Sequence, residues 1–336
     1  MKRLIYIFKR ILKMDYKNMF ATVRAIHKKT GKNSIWLFFD MVKCGLKYGA
    51  GYKDYKLNEF YNLTAAQRST YVTRGINNTI VSRLNPREHY HIIENKTEFN
   101  RRFANFLGRE WLDFSLCSKE EFCDFATRQG VIIAKPKEGT CGMGVEKLNV
   151  KDFASAEELY EHLKNNNCGL VEECITQHDD INKIYPLSVN TLRVVTVRGK
   201  DGKCHIVYAF IRIGNKGKYV DNINNGGMCA PIDLESGKIQ YAAFDKDSVY
   251  YEVHPQTNCP IAGYQLPFWK ESADLCIKAA ESLTELGYVG WDVAVRPEGP
   301  TLIEGNHFPG HDILQMPPHV PDKIGMLPRF REFINI

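Results

Sequence analysis

YVGWDVAVRPEGPTLIEGNHFPG, running from Tyr288 to Gly310, carries the sharpest structural signal in the chain. Its pattern predicts two short strands, VGWDVAV and TLIEGN, joined by turn residues Pro297, Glu298, Gly299 and Pro300. Asp292 sits on the first strand, Glu304 and Asn306 on the second, and a hairpin brings residues this far apart in sequence side by side. Glu304 and Asn306 are two apart and project from the same face of their strand. Two carboxylates and an amide oxygen converging on one point form a set of hard oxygen ligands suited to Mg²⁺. A surface hairpin with acidic residues is the plain alternative, of equal weight on this segment alone. It loses ground because the strands are otherwise apolar (Val289, Val293, Val295, Leu302, Ile303), and isolated carboxylates are costly beside a core.

Upstream, VIIAKPKEGTCGMGVEKL (Val131–Leu148) begins as an apolar β-type run, delivers Lys135 at the strand end and opens a loop with Gly139, Gly142 and Gly144. Glycines let backbone N–H groups cradle phosphate oxygens while a lysine neutralises their charge. The loop is neither a Walker loop, since no Gly-Lys-Ser/Thr follows, nor a dinucleotide turn opening a helix. Alone it reads more readily as a hairpin, and Lys135 as a solvated strand end. A third segment, LVEECITQHDD (Leu170–Asp180), starts as a buried strand and ends in polar residues. Such a strand can hand its backbone to an adenine edge and a later carboxylate to the ribose; by itself it is an ordinary strand with a charged exit.

In that order the three segments resemble the ATP-grasp superfamily over roughly residues 90 to 315. The resemblance rests on Lys135 with its loop, Glu172-Glu173-Cys174-Ile175, Asp292…Glu304-Gly305-Asn306, and Pro309-Gly310. Finer matches in YNLTAAQRSTYVT, SVNTLRVVT, YVDNINNGGMCAPID and GNHFPGHDILQ resemble the sugar-transfer-associated branch, linked to polysaccharide biosynthesis. The resemblance implies an α+β fold in which two α+β lobes clamp ATP, here preceded by a mainly helical region. It implies ATP and Mg²⁺ as cofactors, with one or two ions and Mn²⁺ as a substitute. The implied metal residues are Asp292, Glu304 and Asn306. The implied nucleotide residues are Lys96, Lys135, Gly139, Gly142, Gly144, the hinge Glu172, Glu173, Cys174 and Ile175, and, for the ribose, Asp179 with Asp180 as substitute. Lys96 is expected where a strand hands over to a helix. Many ligases of the superfamily carry an arginine two residues before the first metal aspartate, where this chain has Gly290. Arg193 and Arg212 are then the candidates for that catalytic role; for Arg193 the plain alternative is a strand arginine paired with a carboxylate.

Composition fits a soluble enzyme: 336 residues and 44% apolar content are ample for a sizeable core. Ten scattered cysteines, without a CxxC pair or a zinc-type His spacing, suit reduced thiols of the cytosol. The net charge of +6 is uneven, because residues 1–50 hold twelve Lys/Arg against Asp15 and Asp40. MKRLIYIFKRILKMDYKNMF spaces Leu4, Phe8, Ile11, Leu12 and Met19 near helical period among basic residues. Lys9 and Arg10 break its apolar run, so it reads neither as a signal peptide nor as a span. A basic amphipathic helix at residues 1–20 lies on an anionic membrane surface or docks on its own protein with equal weight. No nucleic-acid reading module accompanies the charge.

The organisation expected is a helical basic region at 1–85, a small lobe with the lysines and glycine loop at 86–168, and a β-rich lobe with hinge and metal site at 169–336. The proline-rich tail is expected to wrap as irregular chain. Asp221 and Asn222, before Gly226-Gly227, read as a mobile loop closing over the site or as a surface turn. His307 and His311 suit packing or substrate orientation better than Mg²⁺ ligation.

Together these readings point to an ATP-dependent carboxylate–amine ligase working through an acylphosphate. From the branch resemblance, its small-molecule substrates are an amino acid and a sugar or sugar-linked precursor of a surface polysaccharide. The protein is expected in the cytoplasm, with membrane association on the cytoplasmic face as an option. Oligomeric state is not legible. The rival readings are a sugar or polyol kinase on the same fold and a non-catalytic nucleotide-binding partner of a glycosyltransferase.

Overall fold

The structure, a computed structural model, describes residues 15–136 and 144–336. The chain forms two compact units, one of Met1–Arg83 with Gly310–Ile336, the other of Leu84–Pro309. Among the described residues no helix is long and apolar enough to cross a membrane.

The first unit is helical. Helix Tyr16–Thr30 is capped by Asp15, whose carboxylate accepts from the backbone of Asn18, and helix Ser34–Tyr48 by Asn33. Each ends on a glycine in the left-handed region, Gly31 and Gly49, the usual stop for a helix. Met19, Val23, Ile26, Leu37, Met41 and Cys44 pack with Tyr55, Phe60 and Tyr71 into one core. Asp40 is drawn beneath it, taking both Nη atoms of Arg68 at 2.8 Å and the hydroxyl of Tyr55 at 2.7 Å. The C-terminal tail joins this unit: Gln315 accepts from the Val72 amide and donates to the Val72 carbonyl, both at 2.8 Å. The tail is not wholly irregular as expected, because Leu327–Phe333 is a helix. Pro328 falls in its first turn, where an amide hydrogen is not needed.

The second unit holds two antiparallel sheets. The smaller has the order β1 (Trp111–Asp113), β4 (Cys168–Glu173), β2 (Val131–Pro136), β3 (Glu146–Asn149). Helices Lys119–Gln129 and Ala156–Asn165 cover it through Phe122, Phe125, Leu159 and Leu163. The larger has the order β11 (Gly299–Asn306), β10 (Tyr288–Arg296), β5 (Leu192–Arg198), β6 (Cys204–Ile213), β7 (Met228–Pro231), β8 (Ala243–Asp245), β9 (Tyr250–Tyr251). Helix Trp269–Ser282 lies against it.

Strand alternation sorts the large sheet into two faces. Leu192 and Val194 of β5, Ala209, Ile211 and Ile213 of β6, and Val289, Trp291, Val293 and Val295 of β10 enter the core. Arg193, Arg212 and Asp292 therefore project from the other face. On β11 strict alternation would put Glu304 on the same face as the core residue Leu302. A bulge prevents this: Leu302 pairs with Val293 but Glu304 with Asp292, leaving Ile303 as the extra residue. One inserted residue thus re-aims the end of β11, as bulges beside functional sites do.

Candidate active site

Asp292, Arg193, Arg212 and Glu304 meet on the polar face of the large sheet. The register explains the meeting, because Asp292 lies directly across from Arg193 on one side and from Glu304 on the other. Arg193 grips Asp292 with Nε on Oδ1 and with Nη2 on Oδ2 at 2.8 Å. Arg212 reaches over from β6 and donates Nη1 to Asp292 Oδ2 at 2.6 Å and Nη2 to Asp221 Oδ1 at 2.7 Å. Asp221 accepts in turn from the amide and hydroxyl of Thr191, at 3.0 and 2.5 Å. Asp221 is buried and braced rather than set in an exposed turn; Asn222 caps the short turn Ile223–Asn225.

Burial opposes ionisation of Asp292, but Arg193 and Arg212 outweigh it and hold this carboxyl low. Glu304 moves the opposite way: loss of water around its carboxyl, then the neighbouring Asp292 charge and the hydrogen bond between them, push it up, although the residue as a whole remains exposed. The pair behaves as two carboxylates at one site, where the second ionises reluctantly.

Gly290, in the place of the absent arginine, has a physical account. A Cβ there would lie 3.1 Å from Arg193 Cδ and 3.4 Å from Pro309 Cβ. The arginine of the adjoining strand fills the space that a residue-290 side chain would need.

A second cluster lies on the small sheet. Glu172 accepts from Asn100 Nδ2 at 2.8 Å, from Arg109 Nη2 at 2.9 Å and from Lys135 Nζ. Burial opposes its charge, but Lys135 and Arg109 hold the carboxyl far below its ordinary range. Arg109 also donates to the carbonyl of Leu302, two residues before Glu304, so the two sheets are tied beside the site. Sequence reasoning missed Arg109 and Asn100, which lie in no motif and are brought in by non-local pairing. Glu173, the neighbour of Glu172, exchanges bonds with the backbone of Glu110 at 2.9 and 3.0 Å. Cys174 and Ile175 continue beyond β4, and the His178 amide donates to the Val295 carbonyl at 2.8 Å. This segment thus runs from the small sheet to the end of β10. Asp179 opens helix Asp179–Ile184, while Asp180 pairs with Lys183 at 2.6 Å.

Lys96 opens helix Lys96–Arg102 behind the cap Asn95, but what precedes it is the helical turn His91–Glu94 rather than the expected strand. Gly144 has a left-handed backbone (φ +70°) beside Pro136. Gly139 and Gly142 lie outside the described residues, as do residues 1–14 of the basic N-terminal segment. His307 stacks on Tyr90, ring centroids 3.7 Å apart, and its Nε2 lies 2.8 Å from Glu94. His311 belongs to the first unit, beside Asp54. Asn85, legible only as a helix-end signal, is a clasp. Its Oδ1 accepts from the amides of Gly287 and Tyr288, and its Nδ2 donates to the carbonyls of Tyr288 and His307. It binds both ends of the β10–β11 hairpin.

The family described as sugar-transfer associated ATP-grasp matches residues 76–332. The chain belongs to that family. The α+β class with a helical N-terminal region is the one expected from the sequence. Among solved structures the ATP-grasp chain is similar to the ligase PsnB complexed with minimal precursor, at 16% identity over 68% of this chain and 56% of that one (TM-score 0.42). It is also similar to D-alanyl-alanine synthetase A from Vibrio cholerae, at 16% identity over 72% and 60% (TM-score 0.40). A third is the biotin carboxylase domain of the 2-oxoglutarate carboxylase of Hydrogenobacter thermophilus, complexed with MgADP, ADP and bicarbonate, at 14% identity over 84% and 56% (TM-score 0.43). The chain thus spans between 56% and 60% of the length of these structures. No curated protein matches it.

The residues fit a divalent cation by donor chemistry. Asp292 and Glu304 are carboxylates placed in contact, Asn306 shares the face of Glu304, and all three offer hard oxygens. Among the described residues no group of three His, Cys, Asp or Glu side chains is placed to hold a metal ion.

Proposed function

We propose that this ATP-grasp chain is a carboxylate–amine ligase that works through an acylphosphate. Its substrates are small molecules, an amino acid on one side and a sugar or sugar-linked precursor of a surface polysaccharide on the other. The observation that carries the reading is the convergence of Asp292, Glu304, Arg193 and Arg212 on one sheet face within a chain of this family.

In this reading Asp292, Glu304 and Asn306 hold Mg²⁺, one ion or two, which when bound neutralises phosphate charge on ATP. Arg193 engages Asp292 through Nε and Nη2, and its Nη1 is the donor assigned to a phosphate oxygen. Arg212, held between Asp292 and Asp221, keeps Asp292 aimed and adds positive charge beside the transferring group. Lys135, fixed by Glu172, and Lys96 neutralise the remaining phosphates, with Gly139, Gly142 and Gly144 allowing backbone amides to approach. The strand end Glu173-Cys174-Ile175 offers its backbone to adenine, and Asp179 offers its carboxylate to the ribose.

The substrate carboxylate attacks the γ-phosphorus and the bond to the β,γ-bridging oxygen breaks, so ADP leaves with the electron pair. The amine then attacks the acyl carbon, phosphate departs, and the amine loses a proton to give the amide. Phosphoryl transfer of this kind depends on positioning and charge stabilisation more than on covalent help, and the chain offers the buried Asp292 and the half-buried Arg193, Arg212 and Lys135 for that work. The enzyme acts in the cytoplasm, beside the membrane where a precursor is lipid-linked.

The test is phosphate release from Mg-ATP, screened over amino acids paired with amino- or carboxy-sugars, with mass spectrometry of products. Phosphate appearing only with a matched pair, and a product lighter by water than their sum, supports the ligase. Phosphate carried by one sugar alone makes the chain a kinase. ATP binding without turnover, unaltered by Glu304→Gln, sinks the catalytic reading.

A further inference from the structure

Helix Ser34–Tyr48 is apolar on two opposite sides. At about 100° per residue, Leu37, Met41 and Cys44 form one stripe, and these are buried in the helical core. The opposite stripe holds Ile35, Trp36, Phe39 and Leu46. Ile35 is 69% exposed, Phe39 65% and Trp36 46%. The surface continues onto helix Tyr16–Thr30 through Phe20, 47% exposed, which stacks on Phe38 with ring centroids 5.3 Å apart. Single exposed apolar side chains are ordinary, but a contiguous aromatic patch marks a surface that meets something. A helix apolar all round is normally covered on both sides.

The charge around the patch says what covers it. Lys43 and Lys47 lie on the same outward arc, Arg24 and Lys28 are exposed on the adjoining helix, and Lys32 holds its ammonium 5.7 Å from the centre of the Trp36 ring. The two acidic residues of this region do not balance them locally. Asp40 is turned inward onto Arg68, and Asp15 caps the first helix. The sequence leading into Tyr16 adds Lys2, Arg3, Lys9, Arg10 and Lys13 among apolar residues. A symmetric contact between two copies would press like charges together. An anionic lipid surface answers both features, because aromatic rings settle at headgroup level and lysines meet anionic headgroups.

We infer that the outward face of helix Ser34–Tyr48, extended by Phe20, docks the protein on an anionic membrane surface. Vesicle binding needs no turnover, so its outcome is separate from that of the ligase reading.

The experiment is co-sedimentation of the full-length protein with phosphatidylcholine vesicles, with and without phosphatidylglycerol, at rising salt. Binding is expected to be at least about tenfold stronger with phosphatidylglycerol and to fall as salt is added. Two double variants, Trp36→Ser/Phe39→Ser and Lys43→Glu/Lys47→Glu, are each expected to lower it about tenfold with the circular dichroism spectrum unchanged. The charge pair keeps the test open should the apolar pair misfold. Removing residues 2–14 should leave phosphatidylglycerol-dependent binding that either double variant abolishes. Complete loss on that truncation, equal binding to neutral vesicles, or wild-type binding by both variants overturns the inference. So does self-association in light scattering that Trp36→Ser/Phe39→Ser abolishes while vesicles are ignored, which would assign the face to a second copy.

Discussion

Glu172 is the residue on which the small sheet's charge balance turns. It faces two cations and an amide in a buried setting, and removing its charge strands Lys135 and Arg109. Breaking a buried pair on one side costs about 3 kcal/mol, so Glu172→Gln is expected to lower stability by about that amount in urea titrations at neutral pH. Because the carboxyl is held low, its contribution is present above the unfolded value of about 4.3 and is lost as pH falls toward the folded one. The gap between wild type and Glu172→Gln should therefore narrow in acid, and a gap that widened would contradict the pairing. At the other cluster, Arg193→Lys keeps a charge but loses the two-point grip on Asp292. Phosphate release is expected to fall about 100-fold with little change in melting temperature. The sequence made Asp292, Glu304 and Asn306 legible because the hairpin that joins them is local. It could not make Arg109 legible, since nothing near Gly108 announces that β4 and β11 will both come within reach of its guanidinium.

Elements place those residues, and their registers carry information that period alone lacks. Arg193 could point to either face from the alternation in NTLRVVT; its pairing across from Asp292 decides it. Glu304 needed the bulge at Ile303 to leave the core face, and an extra residue in a ladder has no compositional mark in TLIEGN. The same hairpin is held at its two ends by Asn85, which satisfies four backbone groups. Asn85→Ala leaves buried amides and carbonyls unpaired at about 1–3 kcal/mol each. A loss of more than about 2 kcal/mol in denaturant midpoint experiments is expected, with turnover falling further than stability alone explains. A near-neutral effect would show that the hairpin ends hold themselves.

At the scale of the whole molecule the decisive feature is that one unit is built from both ends of the chain. Val320 enters the core of the N-terminal helices, and Gln315 completes the backbone bonding of Val72. Ending the chain at Pro309 is expected to leave the Leu84–Pro309 unit protected in limited proteolysis while the segment 16–83 becomes rapidly cut. Equal protection of both would show that the tail only decorates the helices. The composition and motifs made an α+β chain with a helical start legible, but a tail rich in proline gave no hint that it closes a core far upstream. That arrangement has a consequence during synthesis. The first helices leave the ribosome, by ordinary elongation rates, on the order of ten seconds or more before the residues that seal them are made. For that interval the nascent polypeptide carries an unfinished basic, aromatic surface while the whole Leu84–Pro309 unit is translated and folds behind it.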